Sequence, residues 1–325
     1  MSVGTDLLLQ AVHAAIEEGV ARSGDTRAVR PGHRKRFHWP PHPVSADFHV
    51  LASDWTGSAE VDIDGEIYPV RIARTPYGCF GRCERLWHEA RGDDEAEVLA
   101  GLRSGAAPLV SRRRAIGEAL GLDRGYDGTI RDLGPEGLVR LLYCSDRDAG
   151  LEAATEIEAR ASQERFGPAL IAILSDRRHP YRRAAQWAVL DLFEDLPSLC
   201  PTDDEQREAV HAIRALMWDA EDDFARTVFK AGVVLGGHIS NDLAAEALLA
   251  CLDAPSRIGR RAAIHGAFHL AEWLPSLRDQ VVERLREAAS HEPDSQLRDF
   301  ATGIARDIEA GATDHVIEPV FAEEP

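Results

Sequence analysis

Aromatic residues are scarce in this chain, at 6% of 325 positions, whereas alanine and leucine are plentiful. That balance favours helix over sheet. No apolar run approaches the roughly 18–20 residues needed to span a bilayer, so no membrane contact is expected. The opening stretch MSVGTDLLLQAVHAAIEEGVARS has no basic leader, and acids interrupt its apolar pattern. It does not read as a secretory signal, which leaves the cytoplasm as the expected compartment. Cysteine is sparse too: the five (79, 83, 144, 200 and 251) are odd in number and mostly isolated. Buried thiols in a reducing compartment suit them better than a disulfide framework. Also missing are a phosphate loop, a dinucleotide-binding glycine motif, a Gly-x-Ser-x-Gly elbow and a Cys/His dyad in usable context. Lysine is nearly absent, with Lys35 and Lys230 the only two among 37 basic side chains; that says little about mechanism.

Positive charge is short overall, and unevenly so. The formal balance is −18. Residues 1–122 carry 17 acidic and 15 basic side chains, whereas residues 123–325 carry 38 and 22, a balance of −16. Such a field repels polyphosphate backbones and attracts basic partners, besides aiding solubility. The length allows about two domains.

What the chain does have is an internal repeat. Arg182-Arg183-Ala184-Ala185 opens a helix-like run that ends at Leu199, and Arg260-Arg261-Ala262-Ala263 begins it again 78 residues later. Ten of the eighteen aligned positions match, including the closing Glu-x-Leu-Pro-Ser-Leu at 194–199 and 272–277. From residue 134 a Leu-rich first helix, an acidic turn and an Ala-rich second helix recur five times. The first helices are LVRLLYCSDRD, ALIAILSDRRHP, AIRALMWDAEDD, EALLACLDAPS and VVERLREAASHEPD; the second are LEAATEIEARA, YRRAAQWAVLDLF, FARTVFKAGVVLG, GRRAAIHGAFHLAEW and QLRDFATGIARDI. Prolines and aspartates in the turns stop one helix and cap the next. No single pair buries its apolar face alone, so stacking is required. The paired arginines are expected to bind turn carbonyls and acids of the adjacent repeat.

The pattern Leu-Leu-x-Asp-x-x-Pro-x-x-Arg-x-Ala-Ala resembles HEAT repeats, especially the short phycobilisome-lyase type. It is carried by Leu174, Asp176, Pro180, Arg182 and Ala184-Ala185, then by Leu252-Asp253, Arg260 and Ala262-Ala263. The resemblance spans about 134–310 and implies a mainly α, right-handed α-α solenoid. Its members include scaffolds, adaptors, some lyases and some DNA-repair enzymes, so it names no ligand.

Before the repeats we expect a small α+β domain over 1–122. Residues 5–22 read as an amphipathic helix, with Leu8, Leu9, Val12, Ile16 and Val20 on one stripe. Residues 27–43 are basic, with three prolines in five positions, and read as a connector rather than a nucleic-acid contact. Residues 46–74 alternate apolar and polar around Asp64-Gly65, the signature of a hairpin in a small antiparallel sheet. In TPYGCFGRCERLWHEARG (75–92) the spacing of Cys79, Cys83 and His88 fits no usual zinc knuckle, so we expect no metal. There Cys83, Leu86 and Trp87 are expected to pack the start of a helix, and His88-Glu89 on it is only weak evidence for acid–base work. Two helices, about 93–103 and 108–121, should follow. Residues 311–325 read as an acidic tail.

In HEAT-like stacks the second helices usually line the concave binding face. On the 181–193 helix, Tyr181, Ala184, Ala188 and Leu192 form the expected core stripe, and Trp187 and Asp191 fall off it. Carried through the repeat, the Trp187 row is Glu156, Trp187, Lys230, His265 and Thr302; the Asp191 row is Arg160, Asp191, Val234, His269 and Arg306. His238 and Trp273 adjoin them. The candidate binding residues are therefore Glu156, Trp187, Asp191, Lys230, His265, His269 and Trp273, with Trp87 and His88 secondary. We assign no catalytic residue, metal or cofactor. The expected function is a non-catalytic interaction module for a protein partner, one that is basic in the sharper form of this reading; nucleic acid is disfavoured. The alternative is a lyase-type enzyme acting on a small ligand through Trp187, Asp191, His265 and His269.

Overall fold

The computed structural model describes residues 55, 57–75, 78–221 and 225–312, all within one compact unit spanning 53–325. The expected helix 5–22, the connector 27–43, the start of the sheet region and the tail from 313 onward lie outside the described residues.

Four strands form an antiparallel meander in sequence order: β1 (Gly57–Ile63), β2 (Glu66–Thr75), β3 (Gly78–Cys83) and β4 (His88–Gly92). Ile63 pairs with Glu66 across Asp64-Gly65, whose φ values are 52° and 84°. Two successive positive φ values are what a type I′ hairpin requires, so this turn follows the sequence reading. One face of the sheet buries Val61, Ile63, Tyr68, Val70, Ile72, Cys79 and Cys83 against α1 (Glu95–Leu120). The helix answers with Val98, Leu102, Ala106 and Val110, four positions at i, i+4 spacing on one face. Gly81 lets it come that close, since a Cβ there would lie within 3.1 Å of Leu102 Cδ1 and closer still to Val98.

α1 corrects the expectation of two helices broken near 104–107. Pro108 sits inside a single 26-residue helix, on its exposed side. Interior proline costs about 3 kcal/mol. The apolar face stays in phase on both sides of it, and burial of that face offsets the lost hydrogen bond.

The 75–92 region is also corrected. Glu84–Leu86 make a single 3₁₀ turn, Trp87 turns left-handed at φ 49°, and Cys83 pairs with His88 across the reversal. Trp87 is therefore 85% exposed instead of packing a helix start, and His88 begins a strand. Ladder partners in β3 override the local helical spacing here. The His88 ring lies against the bare backbone of Gly105 on α1.

From Pro135 the chain forms five helix pairs. The first helices are α2 (Pro135–Leu141), α4 (Gly167–Leu174), α6 (Asp203–Trp218), α8 (Asp242–Ala250) and α10 (Arg278–His291). The second are α3 (Arg147–Arg160), α5 (Arg182–Leu192), α7 (Ala225–Val233), α9 (Arg257–Trp273) and α11 (Ser295–Ala310). Each pair packs internally, and the second helices pack in succession, α3 on α5, α5 on α7, α7 on α9 and α9 on α11. The body is thus mainly helical, with solenoid-like packing after a small antiparallel sheet. One core runs from Ile116 to Ile308, so α1 serves the sheet core with Val110 and the helical core with Ile116. Asp146, Thr202, Asn241, Ser256 and Asp294 cap the helices that follow them. No helix of the described residues is long and apolar enough to cross a membrane.

The arginines of the repeat bridge neighbouring pairs. Arg260 donates to the turn carbonyls of Ala254 (2.9 Å) and Pro255 (3.1 Å) and forks onto Glu292 of the next pair at 2.7 and 3.0 Å. Arg182 likewise reaches the His179 carbonyl at 3.5 Å and Glu221 at 3.3 Å. The core stripe of α5 is rotated from its expected position. Ala188 and Leu192 are buried, but Tyr181 and Ala184 are exposed, and Ala185, Gln186, Val189 and Leu190 fill the core. Contact with α3, α4 and α7 at once widens the buried arc of α5 and shifts its centre.

Candidate recognition face

Trp187 and Asp191 lie one turn apart on α5, and Arg226 and Lys230 one turn apart on α7. Packing α7 on α5 brings the four together. The Trp187 ring is half-buried, with Lys230 Nζ 5.9 Å and the Arg226 guanidinium 6.0 Å from its centre, within cation–π range. Lys230 Nζ is 2.7 Å from Asp191 Oδ1 and also donates to Glu194, which stands in the 3₁₀ turn after α5. Burial pushes the Lys230 ammonium down, but hydrogen bonds to the two carboxylates outweigh it and hold the pKa above its ordinary value. His238 completes the group, its Nε2 3.7 Å from Glu194 Oε1. It is presented by a π-helical turn, Val234–Ile239, that continues α7. The wider turn re-aims His238 relative to an α-helical path.

Between α7 and α9 the backbones approach at glycine distance. A Cβ on Gly266 would lie 2.5 Å from the Gly232 carbonyl oxygen, and Gly236 faces Gly266 in the same manner. At that spacing Phe229 closes over His265, ring centres 4.4 Å apart, leaving His265 only 6% exposed. His265 therefore does not belong to an open row with Trp187, as expected from the repeat; it is covered by α7. Its Nε2 lies 3.1 Å from Nε2 of His269, whose Nδ1 faces Glu272 at 3.6 Å.

The expected residues thus fall into separate groups. Trp187, Asp191 and Lys230 form one cluster, and His265 and His269 form another across α7. Glu156 on α3 is held by Arg160 at 2.8 Å and Arg131 at 3.9 Å. Trp273 stands 63% exposed at the end of α9, His88 begins β4 and Trp87 lies in the turn before it. Val234 of the second row is buried, while Thr302 and Arg306 are exposed. Sequence reasoning missed Glu194, Arg226 and Phe229. A signal existed for the first: Glu194 and Glu272 occupy the same position in the closing motif of the two copies, and both face a basic or imidazole group.

Chemically, the cluster offers a half-buried aromatic ring beside paired charges. It contains no activated nucleophile. All five cysteines are buried; desolvation pushes the Cys83 and Cys144 thiols up and takes Cys200 and Cys251 to about 12. Among the described residues, no three His, Cys, Asp or Glu side chains converge as a metal-binding group. No family model matches the chain, nor does any curated protein or solved structure.

Proposed function

We propose that this chain is a non-catalytic interaction module, a right-handed HEAT-like solenoid whose second-helix layer forms a concave face for a basic protein partner. The observation that carries the reading is the Trp187 cluster. A half-buried tryptophan has two cations of α7 at 5.9 and 6.0 Å from its ring centre, and Asp191 and Glu194 are locked on Lys230, so its surroundings are set before any partner arrives. Pre-ordered aromatic anchors lower the entropy cost of docking and are typical of binding hot spots. The charge of −16 over residues 123–325 supports a basic partner. The lyase alternative draws less support, because α7 stands between Trp187 and His265, and burial raises every thiol whose shift is resolved.

The test is titration of the full chain with short cationic peptides by calorimetry at ~50 mM and ~300 mM salt, well short of and well beyond effective screening. Binding should weaken steeply with salt, and Trp187→Ala should weaken it about tenfold or more, the usual scale of an aromatic hot spot. Absence of binding at low salt, or a salt-insensitive complex, would refute the basic-partner reading.

A further inference from the structure

A second feature lies away from the Trp187 cluster. A groove of about 340 Å³ opens between the end of α1, α2 and the turn joining α4 to α5, with Glu118, Tyr143, His179 and Tyr181 among its walls. Three rings stand in sequence along it. The Tyr143 and His179 centres are 4.3 Å apart at an interplanar angle of 51°, and those of His179 and Tyr181 are 6.0 Å apart at 48°. Their positions are fixed by the turn. Asp176 accepts the amides of Arg178 (2.8 Å) and His179 (3.2 Å) and the Tyr143 hydroxyl. His179 Nδ1 accepts the Tyr181 amide at 3.2 Å, leaving Nε2 to carry the ring proton.

The charges around the groove are unbalanced. Burial pushes the Asp176 carboxyl up, but the two amides and the Tyr143 hydroxyl outweigh it and hold the pKa below the usual range, so it stays ionised behind the rings. Glu118 is exposed and makes no ion pair among the described residues. The one cation in the wall, Arg140, is committed to Glu136 at 2.7 Å and to the Leu120 carbonyl at 3.1 Å. A site with aromatic faces and an unspent carboxylate attracts a cation. A flat guanidinium satisfies both features together, stacking on a ring while forking onto the carboxylate; a lysine ammonium does so less well.

We infer that this groove receives an arginine side chain of the basic partner, with Tyr181 and His179 stacking on the guanidinium and Glu118 pairing with it. The inference rests on the interaction-module reading and adds a second contact to it, at the N-terminal end of α5, where Tyr181 precedes the helix. A peptide alternating arginine with glycine is the probe, with its lysine and citrulline counterparts as controls, titrated into the full chain and into Tyr181→Ala, Glu118→Gln and Trp187→Ala. Tyr181 and Glu118 are exposed, so both groove variants should keep the wild-type melting temperature. The arginine peptide should bind, the lysine peptide should bind several-fold more weakly, and the uncharged citrulline peptide should not bind. Each groove variant should lose about 5–20-fold, the range of a desolvated cation–π contact or charge-assisted pair. If the arginine peptide binds and Trp187→Ala weakens it while both groove variants bind as wild type, the groove inference is overturned and the module reading stands. Equal binding of arginine and citrulline peptides overturns the cation chemistry. If no peptide binds, both readings fall.

Discussion

Replacing Gly236 by alanine sets two effects of opposite sign against each other. Glycine inside a helical segment costs about 1 kcal/mol relative to alanine, so propensity alone would make the variant more stable. Packing says the reverse. A Cβ at Gly236 would stand 2.1 Å from the Gly266 carbonyl oxygen and 2.8 Å from its carbonyl carbon, and the obstacle is helix backbone, not a rotatable side chain. Restoring an ordinary contact needs a separation of roughly 1 Å between α7 and α9, and a gap of that size forfeits a quarter to a half of each dispersion contact across it. Overpacking of this kind typically costs 1–3 kcal/mol, occasionally more. The expected net is a loss of about 2 kcal/mol, read as a lower urea midpoint by circular dichroism with unchanged slope. Gly237 is the internal control. It lies in the same π-helical turn, but its Cβ would meet only the His269 side chain, at 3.7 and 3.9 Å, ordinary contacts. Gly237→Ala should therefore be neutral or gain up to ~1 kcal/mol. If the neighbouring variants shift stability in the same direction by similar amounts, the close approach of α7 and α9 is wrong.

Two further outcomes follow from the charged contacts. Lys230→Met should destabilise by about 2–3 kcal/mol near neutral pH, because Asp191 and Glu194 lose their common cation; a urea midpoint equal to that of the wild type would contradict the assignment. Lys230 itself, raised in the folded state, contributes fully below its unfolded value of about 10.5 and loses that contribution only as pH rises through the higher folded value. Asp294 is held below its usual 3.8, chiefly by the Arg257 hydrogen bond at 2.5 Å and against burial, so its stabilisation is present above 3.8 and is lost as pH falls through the lower folded value. Asp294→Asn keeps the helix cap and should cost about 1 kcal/mol or less at pH 7, with the gap to wild type closing as pH falls below the usual 3.8.

Where a local signal and the tertiary packing agree, the sequence reading holds. Asp64-Gly65 needs positive φ whatever surrounds it, and the fivefold alternation of Leu-rich and Ala-rich helices can bury its faces only by stacking. The break expected near 104–107 does not form, because the in-phase face from Val98 to Ile116 outweighs the local penalty of Pro108 and depends on the sheet and α2. Trp87-His88 misleads for a similar reason: helical spacing is a local property, and the pairing of Cys83 with His88 is not. The candidate face was legible as a row of positions and not as a set of contacts. The repeat aligns Trp187, Lys230 and His265, but it carries no information on how far apart successive helices stand.

That separation decides what each copy presents. Trp187 and His265 occupy the same place in the motif, as do Ala188 and Gly266. α5 contains no glycine, whereas Gly232 of α7 and Gly236 of the π-helical turn that continues it face Ala262 and Gly266 of α9. α7 therefore settles onto α9 closely enough for Phe229 to cover His265, while Trp187 on α5 remains half-open beside Arg226 and Lys230. The same motif closes one position and opens the other, and the difference is written in residues outside it. A search of such a repeat for binding residues should therefore look first for the glycines of the neighbouring helix, because they mark where a side chain is buried, and then for large aromatics at the matching positions of pairs that lack them.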